Sequence, residues 1–119
     1  MLKNVLASIA VRNIEDSVRW YKMLLGRQPD TLPMRGLAEW KFEGGGWLQV
    51  NEERQLAGRS SITLVDTDIE DRIKQLKKCG IEPKSVKRGQ EVSVAIISDP
   101  DGNQVVFAQG KGEKHKAVM

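Results

Sequence analysis

The chain contains very little cysteine and histidine, and each shortage excludes a class of chemistry. Cys79 is the only cysteine among 119 residues, so no internal disulfide can form, which fits a reducing compartment. His115 is the only histidine, which leaves Ser8 and Ser61 without a partner imidazole. We therefore do not expect a serine nucleophile activated by histidine.

Long apolar runs and a strong charge imbalance are also missing. No segment reaches the length that crosses a bilayer, and the stretch MLKNVLASIAVRN is too short and too polar for a signal peptide. The formal net charge is only +3. Lys74, Lys77 and Lys78 form a basic cluster on the second predicted helix, but no aromatic residues interleave with them. We predict a cytoplasmic protein that binds neither nucleic acid nor membrane.

What the chain does contain is an internal repeat. The matched segments are Leu6 with Ser61, Ile14-Glu15-Asp16 with Ile69-Glu70-Asp71, and, after one dropped residue, Gly26 with Gly80. Self-similarity at a fixed offset indicates one structural unit used twice. The length and the hydrophobic content of 39% fit a single globular domain. We predict one domain over 1–110, built from modules 1–54 and 55–110, and a flexible tail over 111–119.

Each module is predicted to contain a strand, a helix and three further strands. Alternating apolar residues open the module, and the pattern then changes to a helical period with Asn13 or Asp68 as the N-cap. Gly26 ends the first helix. Tight turns at Gly44-Gly45-Gly46 and at Asp99-Pro100-Asp101-Gly102-Asn103 join the last two strands of each module. The seam between the modules is a natural place for a pocket.

Several short motifs carry a resemblance to a known family. They are Val11-Arg12-Asn13-Ile14, Ser17-Val18-Arg19-Trp20-Tyr21 with Leu24-Leu25-Gly26, and Asp99-Pro100-Asp101-Gly102-Asn103. On these motifs the chain resembles the glyoxalase, bleomycin-resistance and extradiol dioxygenase superfamily, also called the vicinal oxygen chelate superfamily. The resemblance implies an α+β fold in which two tandem βαβββ modules form a curved mixed sheet with an inner cavity. It also implies a homodimer.

The same resemblance implies a divalent metal site in those members that are enzymes, with ligands on the first and last strands of each half. In this chain the corresponding positions are Leu6, Gln49, Ser61 and Val106. None of them is a histidine or a carboxylate, and leucine and valine have no lone pairs to offer zinc, nickel or iron. We therefore predict no metal and no other cofactor.

The alternation of side chains along the strands predicts a ligand-binding wall. If Gln49 faces the cavity, Trp47 does so too, because strand side chains point alternately to opposite faces. The predicted ligand-binding residues are Leu6, Ser8, Trp47, Gln49, Ser61, Thr63 and Val106. Such a wall suits a small organic ligand held by stacking and apolar contact. Two alternatives stay open: Trp47 could only fill space between sheets, and Gln49 could be bonded across the sheet.

These features favour a metal-free small-molecule-binding protein of the glyoxalase/bleomycin-resistance type, which sequesters a drug or a metabolite. The net charge of +3 argues against a cationic drug such as bleomycin and favours a neutral or anionic ligand. The alternative is a metal-independent enzyme of the lyase or isomerase type, with Glu39 as its general base. Glu39 could equally be a solvated strand residue, and an interaction module with a vestigial cavity is a third hypothesis. The sequence does not decide between binder and enzyme.

Overall fold

The computed structural model describes residues 1–110. Its elements are β1 (Leu6–Val11), α1 (Ile14–Leu25), β2 (Thr31–Met34), β3 (Leu37–Lys41), β4 (Trp47–Glu52), β5 (Ser61–Val65), α2 (Ile69–Lys78), β6 (Ser85–Arg88), β7 (Val92–Ser98) and β8 (Gln104–Gly110). The predicted α+β class with two βαβββ modules is confirmed. The predicted tail over 111–119, with His115, lies outside the described residues. None of the helices within 1–110 is long and apolar enough to cross a membrane.

Both helices begin at the capping residues that the sequence predicts. Asn13 Oδ1 accepts a hydrogen bond from the Asp16 backbone N–H at 2.9 Å, and Asp68 Oδ1 does the same for Asp71 at 3.0 Å. These caps satisfy backbone N–H groups that have no partner within the first helical turn. Gly26 ends α1 in the left-handed conformation, with φ of 80°.

Each module forms its own four-stranded mixed sheet. The strand order is β1-β4-β3-β2 in the first sheet and β5-β8-β7-β6 in the second. The pairs β1–β4 and β5–β8 are parallel, and the other pairs are antiparallel. In place of one curved sheet, the chain therefore has two sheets. They meet along β1 and β5, which are neighbours without a hydrogen-bonded ladder in the described chain.

The apolar core lies between each sheet and its helix and continues across the seam as one cluster. Its largest fully buried side chains include Trp40, Tyr21, Ile9, Leu24, Leu48 and Leu76. Trp40 Nε1 donates to the Arg27 carbonyl at 3.0 Å, so the buried indole keeps a hydrogen-bond partner. The opposite face of each sheet, which we call the helix-free face, is not covered by its helix.

Candidate ligand-binding site

β1 and β5 run in opposite directions along the seam between the modules. The end of β1 lies beside the start of β5, where the Ala10 N–H is 3.5 Å from Ser60 Oγ. The start of β1 lies beside the end of β5, where Val5 and Val65 line the same cavity. The seam therefore has two ends that correspond to each other under the internal repeat. We call them the closed end, near Ala10, and the open end, near Val5.

The same kind of turn stands at each end of the seam. The first turn, 42–46, joins β3 to β4, and the second turn, 99–103, joins β7 to β8. In both turns the first N–H donates to the fifth carbonyl at 2.9 Å, and the fourth N–H donates to the first carbonyl at 2.9 or 3.0 Å. The fourth residue has a positive φ in both, 101° at Gly45 and 97° at Gly102. The two backbones are equivalent, and only the side chains differ.

Buried polar side chains of the second turn fill the closed end. Tyr21 Oη donates to Asp99 Oδ2 at 2.7 Å, and Asn103 Nδ2 donates to the same oxygen at 2.9 Å. These three residues are at most 4% exposed. Burial raises the pKa of the Tyr21 hydroxyl well above its usual range, and the charges of Asp99 and Asp101 raise that pKa further. Tyr21 is therefore a protonated hydrogen-bond donor at neutral pH.

The second turn also binds the backbone of both modules. Asn103 Nδ2 donates to the Ala10 carbonyl at 2.8 Å, and Asn103 Oδ1 accepts the Ser60 N–H at 2.9 Å. The Asp101 carboxylate accepts the Arg12 backbone N–H at 3.2 Å and the Arg12 guanidinium at 3.1 Å. Every buried side-chain nitrogen or oxygen within residues 1–110 has a partner. The closed end is thus a structural junction between the modules.

A cavity of about 630 Å³ occupies the open end. Its apolar wall consists of Val5, Ala7, Leu25, Phe42, Trp47, Leu48, Leu64, Val65 and Phe107. Its other lining residues are Arg27, Glu43, Gly44, Gly46, Thr63, Asp66, Thr67 and Arg72. The volume lies in the range of pockets that take drug-sized ligands.

The first turn carries none of the side chains that fill the closed end. Position by position, Phe42 corresponds to Asp99, Gly44 to Asp101 and Gly46 to Asn103. A residue outside the turn, Asn4, holds it instead. Asn4 Nδ2 donates to the Gly45 carbonyl at 2.7 Å, and Asn4 Oδ1 accepts the Val5 N–H at 2.8 Å. This end is open because two glycines replace polar side chains on an equivalent backbone.

Two arginines in the cavity wall are each paired with a carboxylate. Arg72 Nε donates to Asp66 Oδ2 at 2.8 Å, and these two side chains are only 29% and 14% exposed. Arg27 Nη1 donates to Asp30 Oδ2 at 2.7 Å at a more exposed position. A hydrogen bond from the Lys41 backbone N–H, together with the Arg27 guanidinium, holds the pKa of Asp30 below its usual range. The Arg72 pair is therefore the more shielded of the two.

The helix-free face of the first sheet carries a buried carboxylate. Glu39 is 7% exposed, and its two oxygens accept hydrogen bonds from Thr31 Oγ1 at 2.9 Å and Gln49 Nε2 at 2.7 Å. The interpretation of Glu39 as a solvated strand residue is wrong, because β3 lies between β2 and β4 and both neighbours supply a donor. On the same sheet, Lys41 Nζ lies 4.3 Å from the Trp47 ring centroid, which is a cation–π contact.

Comparison with known proteins identifies the fold. No protein-family model and no curated protein sequence matches the chain. Among solved structures, the glyoxalase/bleomycin resistance protein from Catenulispora acidiphila superposes with a TM-score of 0.84 at 28% identity, covering 91% of this chain and 98% of that chain. The chain therefore has the fold of the vicinal oxygen chelate superfamily. The resemblance inferred from the sequence motifs is confirmed.

Two further structures with the vicinal oxygen chelate fold are similar to this chain. TnmS3, an antibiotic-binding protein from a Streptomyces species, has a TM-score of 0.79 at 19% identity, covering 93% of this chain and 98% of that chain. The bleomycin resistance determinant encoded on transposon Tn5 has a TM-score of 0.76 at 18% identity, covering 93% of this chain and all of that chain. At these identities the likeness shows the fold alone.

The vicinal oxygen chelate positions implied for metal ligands do not fit a metal in this chain. As the resemblance implies, these positions carry Leu6, Gln49, Ser61 and Val106. Two of the four have no donor atom, and the other two are neutral oxygen and nitrogen groups. Within the described range 1–110, His, Cys, Asp and Glu side chains do not gather in groups of three or more that could hold an ion.

The predicted ligand-binding residues divide between the helix-free faces of the two sheets. The registers pair Leu6 with Trp47, Ser8 with Gln49, Ser61 with Gln104, and Thr63 with Val106. Paired residues on neighbouring strands share a face. Gln49 is bonded across the sheet to Glu39, as one of its two interpretations states. Trp47 and Thr63 also line the cavity, so the helix-free faces and the cavity meet at these two residues.

Sequence reasoning missed the cavity residues that lie toward the helices, among them Arg27, Arg72 and Phe107. A signal for Arg72 was present in the repeat. At the offset that aligns Leu6 with Ser61, Arg72 corresponds to Ser17, which is 4% exposed. Arg72 is large and charged, whereas Ser17 is small and buried. The two modules therefore pack differently at this position.

Proposed function

We propose that the protein binds a small organic molecule without a metal ion and sequesters it, as a drug or a metabolite. The observation that carries this proposal is the cavity of about 630 Å³ at the open end, with its mostly apolar wall. Two proteins of the same fold are described as an antibiotic-binding protein and a bleomycin resistance determinant, which supports the class of function. The net charge of +3 favours a neutral or anionic ligand.

In this proposal Trp47 is the main ligand contact. Its indole lies at the edge of the cavity and is half-buried, with Lys41 Nζ held 4.3 Å from the ring centroid. A planar ligand can stack on the remaining indole surface, and Thr63 offers a hydroxyl group across the seam. A ligand larger than the cavity extends over the helix-free faces toward the other predicted residues, which are Leu6, Ser8, Gln49, Ser61 and Val106.

We also propose a homodimer in which a second copy covers the helix-free faces. Leu6, Val65 and Val92 are 39%, 73% and 48% exposed. The registers place them on those faces. Removing such apolar side chains from water is favourable, by roughly 25 cal/mol per Å² buried. A partner would also enclose a ligand that leans against Trp47.

A native mass spectrum of the untagged protein, taken after gentle purification, tests all three parts of the proposal. We expect a dimer that carries an additional organic mass and no metal ion. A monomer would contradict the homodimer alone. A metal ion in each protomer would contradict the metal-free assignment and would favour an enzyme over a binding protein.

The role of Trp47 is tested by titrating the protein with N-phenyl-1-naphthylamine, a neutral aromatic probe whose emission rises in apolar sites. We expect Trp47→Ala to weaken binding about tenfold, because loss of a stacked aromatic contact costs about 1.4 kcal/mol. Trp20→Ala is the matched control, since Trp20 packs edge-on against Tyr21 at 4.8 Å and does not line the cavity. Equal affinities for Trp47→Ala and the unsubstituted protein would contradict this assignment.

The burial of Glu39 supports a second candidate, a metal-independent enzyme. A carboxylate that is 7% exposed and lies beside Gln49 is placed as a general base would be. Lyase and isomerase reactions often begin with removal of a proton next to a carbonyl group. Incubating a panel of ketones and 2-oxo acids in heavy water, with proton NMR as the readout, measures that step directly. Exchange that is lost in Glu39→Gln would support the enzyme, and equal exchange rates would exclude Glu39 as the base.

A further inference from the structure

We propose that the open end of the seam contains a subsite for an anionic group, a carboxylate or a sulfonate, beside Thr67 and Arg72. The inference rests on the proposed function, because it names the class of ligand that the same cavity takes. Its starting point is the internal repeat. The closed end holds a carboxylate of the chain itself at the corresponding place.

At the closed end, that carboxylate belongs to Asp101. It accepts the Arg12 backbone N–H at 3.2 Å and the Arg12 guanidinium at 3.1 Å, just before α1 begins. At the repeat offset Arg12 corresponds to Thr67, which lies just before α2. Thr67 therefore occupies, before α2, the backbone position at which Arg12 binds the Asp101 carboxylate before α1.

At the open end the chain supplies no such carboxylate. Gly44 stands where Asp101 stands in the second turn, and a Cβ atom added at Gly44 would meet no atom within 4 Å apart from its chain neighbours. Both Gly44 and Thr67 line the cavity. The chain thus leaves unfilled the place that corresponds to the Asp101 carboxylate, and the residues on its two sides in the repeat, Gly44 and Thr67, both belong to the cavity wall. In our proposal an anionic group of the ligand takes that place.

Arg72 provides the positive charge for this subsite. Its Nε donates to Asp66, and its Nη1 lies 3.4 Å from the Leu24 carbonyl. A guanidinium group has more N–H donors than these contacts use, so Arg72 can bind an anion while it stays paired. Of the two carboxylates in the cavity wall, Asp66 is the one neutralised by Arg72, and Glu43 is exposed at the rim.

The rest of the cavity selects an apolar body for the same ligand. At the closed end the hydroxyl of Tyr21 meets the carboxylate of Asp99. The residues that correspond to Tyr21 and Asp99 in the repeat are Leu76 and Phe42, an apolar pair of residue types, and of these two Phe42 lines the cavity. Phe107 adds an aromatic ring that lies 5.4 Å from the Arg72 guanidinium. Together these residues fit an aromatic acid, with its ring among apolar side chains and its anion at Thr67 and Arg72.

Two fluorescent probes with the same ring system test the inference. 8-Anilinonaphthalene-1-sulfonate carries an anionic group, and N-phenyl-1-naphthylamine does not. We expect the sulfonate to bind about tenfold more tightly, since a charge-assisted hydrogen bond contributes about 1.5 kcal/mol or more. Gly44→Asp, which restores the carboxylate of the chain, should weaken the sulfonate about tenfold and the neutral probe far less.

The controls separate the subsite from a general effect of charge. Gln55→Glu adds the same charge as Gly44→Asp on an exposed residue outside the cavity, and it should leave both affinities within about twofold. Arg72→Gln should weaken the sulfonate and spare the neutral probe. Equal binding of the two probes, or equal losses in Gly44→Asp, would overturn the anionic subsite and leave the proposed function standing. Binding of neither probe would contradict the proposed function itself.

Discussion

The two ends of the seam have the same turn backbone and opposite contents. At the closed end, Asp99, Asp101 and Asn103 fill the space between the modules and bond to both of them. At the open end, Gly44 and Gly46 leave a cavity beneath an equivalent set of backbone hydrogen bonds. The comparison teaches that a duplicated fold can hold a cavity at one end of its seam when one copy of a turn has glycines in place of polar side chains.

Removing Asn103 should have the largest effect, because it breaks the closed end. Asn103→Ala takes away the hydrogen bonds to the Ala10 carbonyl, the Ser60 N–H and Asp99 Oδ2. Asp99 Oδ2 keeps its hydrogen bond from Tyr21, whereas the Ala10 carbonyl and the Ser60 N–H lose their side-chain partner at the junction. We expect the free energy of unfolding to fall by about 3 kcal/mol or more. Urea denaturation measures this change.

Gln104→Ala is the matched control for Asn103→Ala. Gln104 is the next residue along the chain and is exposed, with a single bond from its side chain to Ser61 Oγ at 3.0 Å. We expect a change within about 0.5 kcal/mol for this control. Similar losses for both variants would mean that the closed end does not depend on buried hydrogen bonds.

Tyr21→Phe sharpens the comparison, because it gives the closed end an apolar side chain like Leu76 at the open end. The variant keeps the ring and removes one hydrogen bond to the buried Asp99 carboxylate. We expect a loss of about 1 to 2 kcal/mol in the free energy of unfolding at pH 7, measured in urea. No loss would show that Asp99 finds another donor.

The same tyrosine should make stability depend on alkaline pH. The folded protein keeps the Tyr21 proton above the ordinary pKa, whereas the unfolded chain releases it at about pH 10. The stabilisation is therefore complete below about pH 10 and is lost as the pH rises further, by up to about 1.4 kcal/mol per pH unit. Tyr21 is the only tyrosine, so ultraviolet absorbance reports its ionisation directly, and Tyr21→Phe should lack this slope.

The modules could be predicted from sequence because their signals are local. Asn13 and Asp68 cap the helices as expected, and the alternation of side chains places Trp47 and Gln49 on one face of the sheet. The cavity could not be predicted in the same way. Its wall combines residues that face the helices, such as Phe107, with residues of the helix-free faces, such as Thr63, because it lies where two separate sheets meet.

The burial of Glu39 was also beyond the reach of local patterns. Its neighbours in sequence, Ala38 and Trp40, predict only that Glu39 lies on the opposite face of β3. Burial of that face depends on Thr31 and Gln49, which come from two other strands. For predicting the cavity, the differences between the two repeats are more informative than their similarities. Asp101 and Asn103 in the second turn correspond to Gly44 and Gly46 in the first turn. This difference indicates which end of the seam is closed.

Transplanting the second turn onto the first should have the smallest effect on stability and the clearest effect on the cavity. Neither Gly44 nor Gly46 has a positive φ, so their backbone does not require glycine, and Gly44→Asp with Gly46→Asn places the residue types of Asp101 and Asn103 in the first turn. Fewer unfolded conformations and new hydrogen bonds across the seam should raise the free energy of unfolding by about 1 kcal/mol. Gly45→Ala, at a φ of 101°, should instead lower it by about 1 to 2 kcal/mol. If the double variant is more stable and no longer binds N-phenyl-1-naphthylamine, the open end has become a second closed end; if it is less stable, the two ends differ in more than their side chains.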